Sequence, residues 1–112
     1  MEFEKSFRSA LQTSEFKSLN GYILRLLNLL KSGDCFLNTL LPMMLDEGYS
    51  VDQISTSIDY LKDRHYITVE EKKGVRSVAD LLDSFAPRVK VRLTADGIDL
   101  LQGVTHSESV EV

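Results

Sequence analysis

The stretch from Ser50 to Ile67, SVDQISTSIDYLKDRHYI, carries the clearest local instruction in the chain. Ser50-Val51-Asp52-Gln53 has the form of a capping box, in which the Ser50 and Gln53 side chains reciprocally satisfy backbone amides at a helix start. Val51, Ile54, Ile58 and Leu61 follow at spacings of three and four, which predicts a helix from about 51 to 64 with one buried stripe. Its opposite face carries Asp52, Ser55, Thr56, Asp59, Lys62 and Asp63. At Tyr66 the period changes, because Tyr66-Ile67-Thr68-Val69-Glu70 has the β-branched and aromatic content of a strand.

Toward the carboxy terminus, Val89-Lys90-Val91-Arg92-Leu93 alternates between apolar and basic residues and predicts the second strand of a hairpin spanning about 66 to 93. Between the strands lie Gly74 and a helical piece, Val78 to Phe85, ended by Pro87; this connection is far longer than the usual hairpin loop. Thr94 caps a last helix through Leu101, closed by Gly103, and residues 104–112 are expected to be a disordered polar tail.

Toward the amino terminus, Gly48 stops a helix for which Asn38 is the expected N-cap, with Leu37 and Pro42 forming a hydrophobic staple. Pro42, four residues past that cap, forfeits only the first intrahelical bond. Cys35-Phe36-Leu37 is expected as a very short strand. Tyr22, Ile23, Leu26, Leu27, Leu29 and Leu30 cover more than one helical face and predict a buried helix ending near Ser32-Gly33. An Asn20-Gly21 break separates it from an amphipathic leading helix over 3–17 that carries Phe3, Phe7, Ala10 and Leu11. The expected core comprises Ile23, Leu26, Leu27, Leu30, Leu41, Leu45, Ile54, Ile58, Leu61, Ile67, Val91, Leu93, Ile98 and Leu101.

With 112 residues, 43% of them hydrophobic and 27% charged, the chain suits one globular domain rather than a disordered segment. Cys35, the single cysteine, has no disulfide partner and fits a reducing compartment, so a cytoplasmic location is expected. The opening MEFEKSFRSA lacks a signal peptide's apolar run, and Arg25 and Asn28 interrupt the most apolar segment well short of a membrane span.

The order helix, short strand, helix, helix, strand, wing, strand, helix is the winged helix-turn-helix layout: mainly α with a small β-hairpin and an extended wing. Ser50 to Ile67 resembles a third helix and its approach to the wing. Val91 to Gly103, VRLTADGIDLLQG, resembles the close of many winged-helix regulators. Taken with ILRLLNLL at 23 to 30, the pattern is similar to a family of small winged-helix proteins encoded by Mu-like phages and prophages. The likeness spans roughly 22 to 103. It implies a winged-helix domain, expected over 19–103, and a role as a DNA-binding transcriptional regulator; the amphipathic arm over 1–18 lies outside the likeness. An insert at 73–88 departs from the family's tight wing.

In a winged helix that reads DNA, the third helix enters the major groove and the wing touches the backbone, so Lys and Arg belong at both. Here the charges divide. From Ser32 to Leu61 there are five acids and no Lys or Arg. From Lys72 to Arg92, the cations Lys72, Lys73, Arg76, Arg88, Lys90 and Arg92 outnumber Asp80 and Asp83 by four. Contacts to duplex DNA are therefore expected to be led by this basic wing, with Ser55, Thr56 and Ser57 on the third helix adding base contacts and Lys62 counted among the DNA-binding residues. The bland alternative for the wing is a solvated edge whose charges prevent strand pairing. A protein–protein module without DNA binding is the competing function, because an acidic third helix and a long insert suit it. A two-fold homodimer is expected through Phe3, Phe7 and Leu11 of the leading helix and Leu81, Leu82 and Phe85 of the insert.

Catalysis is not expected. His65 sits at a helix end and suits packing or capping, Cys35 suits a small buried apolar residue, and Met43 and Met44 suit core filling. There is no phosphate-cradling glycine loop and no metal-ligand spacing, so no cofactor, metal or small-molecule substrate is implied.

Overall fold

A computed structural model describes the backbone of residues 2–30, 35–72, 77–82 and 88–112, and the side chains of all these except 2–9, 79 and 82. The described chain is mainly helical with a small antiparallel sheet. In order it forms α1 (Glu2–Leu29), α2 (Leu37–Asp46), α3 (Val51–Asp63), β1 (Ile67–Val69), a 3₁₀ turn (Val78–Leu82), β2 (Val91–Leu93) and α4 (Ala95–Leu101).

The capping box at Ser50 is present: Gln53 N donates to Ser50 Oγ at 3.1 Å and Ser50 N donates to Gln53 Oε1 at 2.8 Å. Thr94 caps α4 by accepting from Gly97 N at 3.1 Å. α2 starts one residue before the expected cap. Phe36, in extended conformation, is its N-cap and contributes no side-chain bond, so Pro42 lies deeper in the helix than the sequence suggested. Phe36 takes this place because its neighbours are already held by the sheet: Leu37 N donates to Val89 O at 2.8 Å and Val91 N to Cys35 O at 2.9 Å.

β1 and β2 pair in the register Ile67–Leu93, Thr68–Arg92 and Val69–Val91. An isolated antiparallel bridge between Phe36 and Lys90 places Cys35–Leu37 along the other edge of β2. β2, last of the three in sequence, is therefore central in space.

α2, α3 and α4 end alike. In each, a residue with left-handed backbone follows the C-cap: Gly48 at φ 95°, His65 at φ 63° and Gly103 at φ 79°. The paired bonds of a Schellman motif close all three turns. Gly48 N donates to Leu45 O and Tyr49 N to Met44 O; His65 N donates to Lys62 O and Tyr66 N to Leu61 O; Gly103 N donates to Leu100 O and Val104 N to Asp99 O. His65 thus acts through its backbone, in a conformation that only glycine adopts without cost.

Two expectations are corrected at the ends of the chain. Asn20-Gly21 is no break: α1 runs through it for 28 residues, about 42 Å at the usual rise. One interior glycine costs roughly 1 kcal/mol against alanine, too little to interrupt a helix flanked by the buried Leu19, Ile23 and Leu24. The supposed boundary at residue 18 therefore falls inside one element. Nor is the 104–112 segment disordered. Val110 is buried, Asn20 Nδ2 donates to Ser109 O at 2.9 Å, and Glu111 N donates to Lys17 O at 3.1 Å.

The core gathers Leu19, Ile23, Leu24 and Leu27 of α1, Leu37, Leu40, Leu41 and Met44 of α2, and Ile54, Ile58 and Leu61 of α3 against Ile67, Val89, Val91 and Leu100. Met44 is fully buried, whereas Met43 is exposed. Leu26, Leu30, Leu45, Leu93, Ile98 and Leu101, expected inside, are half-buried. In α4 the phase is fixed by Gly97, which lies so close to Tyr66 O and Leu93 Cδ1 that a Cβ would collide with both. Gly97 and Leu100 consequently share the inner face.

Candidate nucleic-acid interface

The hairpin presents its polar residues on one side. Thr68 and Arg92 are cross-strand partners and both are exposed, while Lys90 is half-buried next along β2. Thr68, Val69, Glu70, Lys90 and Arg92 line a shallow cleft of about 290 Å³. Alternation explains the arrangement: Val89 and Val91 point into the core, so Lys90 and Arg92 point out. Arg88, also exposed, sets its guanidinium carbon 5.4 Å from the centre of the Phe36 ring, a cation–π contact that fixes it beside the bridge.

Acids temper this surface. Glu70 N donates to Lys90 O at 2.9 Å, which carries the pairing one residue beyond β1, and the Glu70 carboxylate lies 3.1 Å from Lys72 Nζ. Counted along the sequence from Glu70 to Arg92, six cations stand with four acids, an excess of two rather than four. Glu70 becomes a neighbour of Lys90 only through the strand register. Lys73, Arg76 and Phe85 lie outside the described residues.

α3 displays an exposed stripe of Asp52, Thr56, Asp59 and Asp63, with Lys62 beside it. Thr56 Oγ1 donates to Asp52 O at 2.9 Å, so its hydroxyl is turned onto its own helix. Ser55 is half-buried. Ser57, expected to contact bases, is fully buried and its Oγ has no partner. The amino-terminal part of α3 also meets α1: Gln53 Nε2 donates to Glu15 Oε2 at 2.8 Å and Phe16 packs edge-on against Tyr60 at 5.1 Å. The hairpin cations and the α3 residues thus lie on surfaces of opposite charge.

Between them is a cleft of about 350 Å³, floored by Leu37, Ile58, Val69, Val78 and Val89 and rimmed by Asp59, Lys62, Glu70, Glu71 and Lys72. An anion drawn to either lysine would meet a carboxylate alongside. Cys35 is buried, and burial pushes its thiol pKa up, away from the reactive thiolate. Among the described residues no cluster of His, Cys, Asp and Glu could hold a metal ion, and no helix is long and apolar enough to cross a membrane.

Of the expected dimer residues, Leu11 is 49% exposed on α1. Leu81 is withdrawn from that set, because it is buried against the core by the 3₁₀ turn. The side chains of Phe3, Phe7 and Leu82 lie outside the described residues. Comparison of the chain with protein-family models, curated proteins and solved structures returns no match.

Proposed function

We propose that this chain is a winged-helix domain, similar to those of Mu-like phages and prophages, that regulates transcription by meeting duplex DNA through its hairpin. The observation that carries the reading is the line of Arg88, Lys90 and Arg92, which runs into β2 and alternates with Val89 and Val91 buried in the core. Such a rigid basic strand face suits contact with phosphates, the sequence-independent part of DNA affinity. Three phosphate contacts give log K against log salt a slope of about −2.7; a Lys90→Ala, Arg92→Ala variant should flatten it to about −0.9. Fluorescence polarisation against a random duplex at several salt concentrations measures both. Binding that persists in the variant with an unchanged slope rejects the hairpin as the contact.

The acidic stripe on α3 supports a second reading, a protein–protein module on the same scaffold. In that case no duplex binding appears at any salt concentration. In either case we propose a two-fold dimer through the exposed Leu11 side of α1, and a strictly monomeric mass by light scattering at tens of micromolar would reject it.

A further inference from the structure

The segment from Ser109 to Glu111, which leaves a turn at 108–109, is bound along α1 through both its backbone and its side chains. Its backbone is gripped at three points: Ser109 O accepts from Asn20 Nδ2 at 2.9 Å, Glu111 N donates to Lys17 O at 3.1 Å, and Glu111 O accepts from Arg25 Nη1 at 3.0 Å. Its side chains are gripped as well. Val110 is buried in the core, and Glu111 Oε2 accepts from Ser18 Oγ at 2.8 Å. Gly21 makes the approach possible, since a Cβ there would collide with the Glu111 carbonyl. Ser18, Gly21 and Arg25 recur at helical spacing, so one face of α1 forms the whole cradle.

One member of the cradle is incompletely used. Asn20 is fully buried, and its Oδ1 has no hydrogen-bond partner while the segment is in place. The resident segment therefore fills the groove without being its best ligand. Residues 102–106, which lead to it from α4, are all exposed, and Val104 N and Thr105 N both donate to Asp99 O at the end of that helix.

We propose that the α1 face from Lys17 to Arg25 is a peptide-binding site held shut by the chain's own Ser109–Glu111 segment. Its ligand is a peptide stretch with a small β-branched apolar residue followed by an acidic one, and a donor aimed at Asn20 Oδ1 strengthens the fit. This site is separate from the hairpin and does not depend on the DNA reading. The tethered segment acts at an effective concentration on the order of millimolar, so a free peptide competes poorly until the segment is displaced.

The test uses the full chain and a fluorescein-labelled peptide carrying residues 105–112. Val110→Asp expels the resident segment and should raise peptide affinity by roughly tenfold or more over the unaltered chain. Adding Gly21→Ala to Val110→Asp should abolish binding by filling the cradle. Equal binding by the unaltered chain and by Val110→Asp, binding retained in the double variant, or no binding by a folded Val110→Asp chain at millimolar peptide overturns the proposal. Should Val110→Asp fail to fold, the Glu111 amide decides. Exchange slowed at least tenfold relative to the free peptide, and restored by Gly21→Ala, supports the site; an unprotected Glu111 amide rejects it.

Discussion

Replacing Thr94 by Val tests how α4 is joined to the rest of the molecule. The Thr94 hydroxyl makes two bonds: it accepts from Gly97 N at 3.1 Å and donates to His65 O at 2.6 Å. The first is an N-cap, whose loss typically costs about 0.5–2 kcal/mol. The second ties the start of α4 to the end of α3 and contributes about 0.5–1.5 kcal/mol net. Valine keeps the shape and removes both, so Thr94→Val should lower stability by about 1–3.5 kcal/mol. At this chain length about 4–6 °C is lost per kcal/mol, so the melting midpoint should fall by roughly 4–20 °C. Thr94→Ser keeps the hydroxyl and should remain within about 0.5 kcal/mol of the original. Circular dichroism melts and urea titrations, with the denaturant slope m checked for constancy, read the difference. If Thr94→Val melts within about 2 °C of the unaltered chain, a loss of no more than about 0.5 kcal/mol, the junction is not a structural element; if Thr94→Ser loses as much as Thr94→Val, the hydroxyl is not its cause.

Two further outcomes concern backbone geometry. His65→Gly should stabilise the fold by about 0.5–1 kcal/mol by relieving the left-handed conformation, while His65→Val should destabilise it; a urea titration in which His65→Gly is the weaker variant contradicts the Schellman assignment. Gly97→Ala should destabilise by more than about 2 kcal/mol, because its methyl group must displace the Tyr66 carbonyl or the Leu93 side chain, and an unchanged melting midpoint would place α4 differently.

What the sequence disclosed is local. The Ser50 capping box, the Thr94 cap, the Gly48 and Gly103 stops and the alternation at 89–93 each need only a few neighbouring residues, and each is present in the structure. What it concealed depends on partners distant in the chain. Gly21 looks like a helix breaker until Glu111 is seen lying against it, and the polar segment 104–112 looks unstructured until Asn20, Lys17 and Arg25 supply its bonds. Ser57 reads as surface by composition, yet it lies three residues from Ile54 and beside Ile58 on the inner face of α3. The hairpin cations were legible from alternation, but Glu70 as neighbour to Lys90 and Phe36 as platform for Arg88 emerge only from strand register.

The central place of β2 governs the order in which the molecule can assemble. β1 finds its partner only after a connection of roughly 20 residues closes, which costs about 1.5 kcal/mol more loop entropy than a four-residue turn. The Cys35–Leu37 edge waits longer still, for its partners are Val89, Lys90 and Val91. Helices α1, α2 and α3 carry local signals and can form early, but they cannot be locked together until residues 89–93 arrive. Folding should therefore be limited by the docking of β2, and a nascent chain halted before residue 88 should hold its helices without a fixed core.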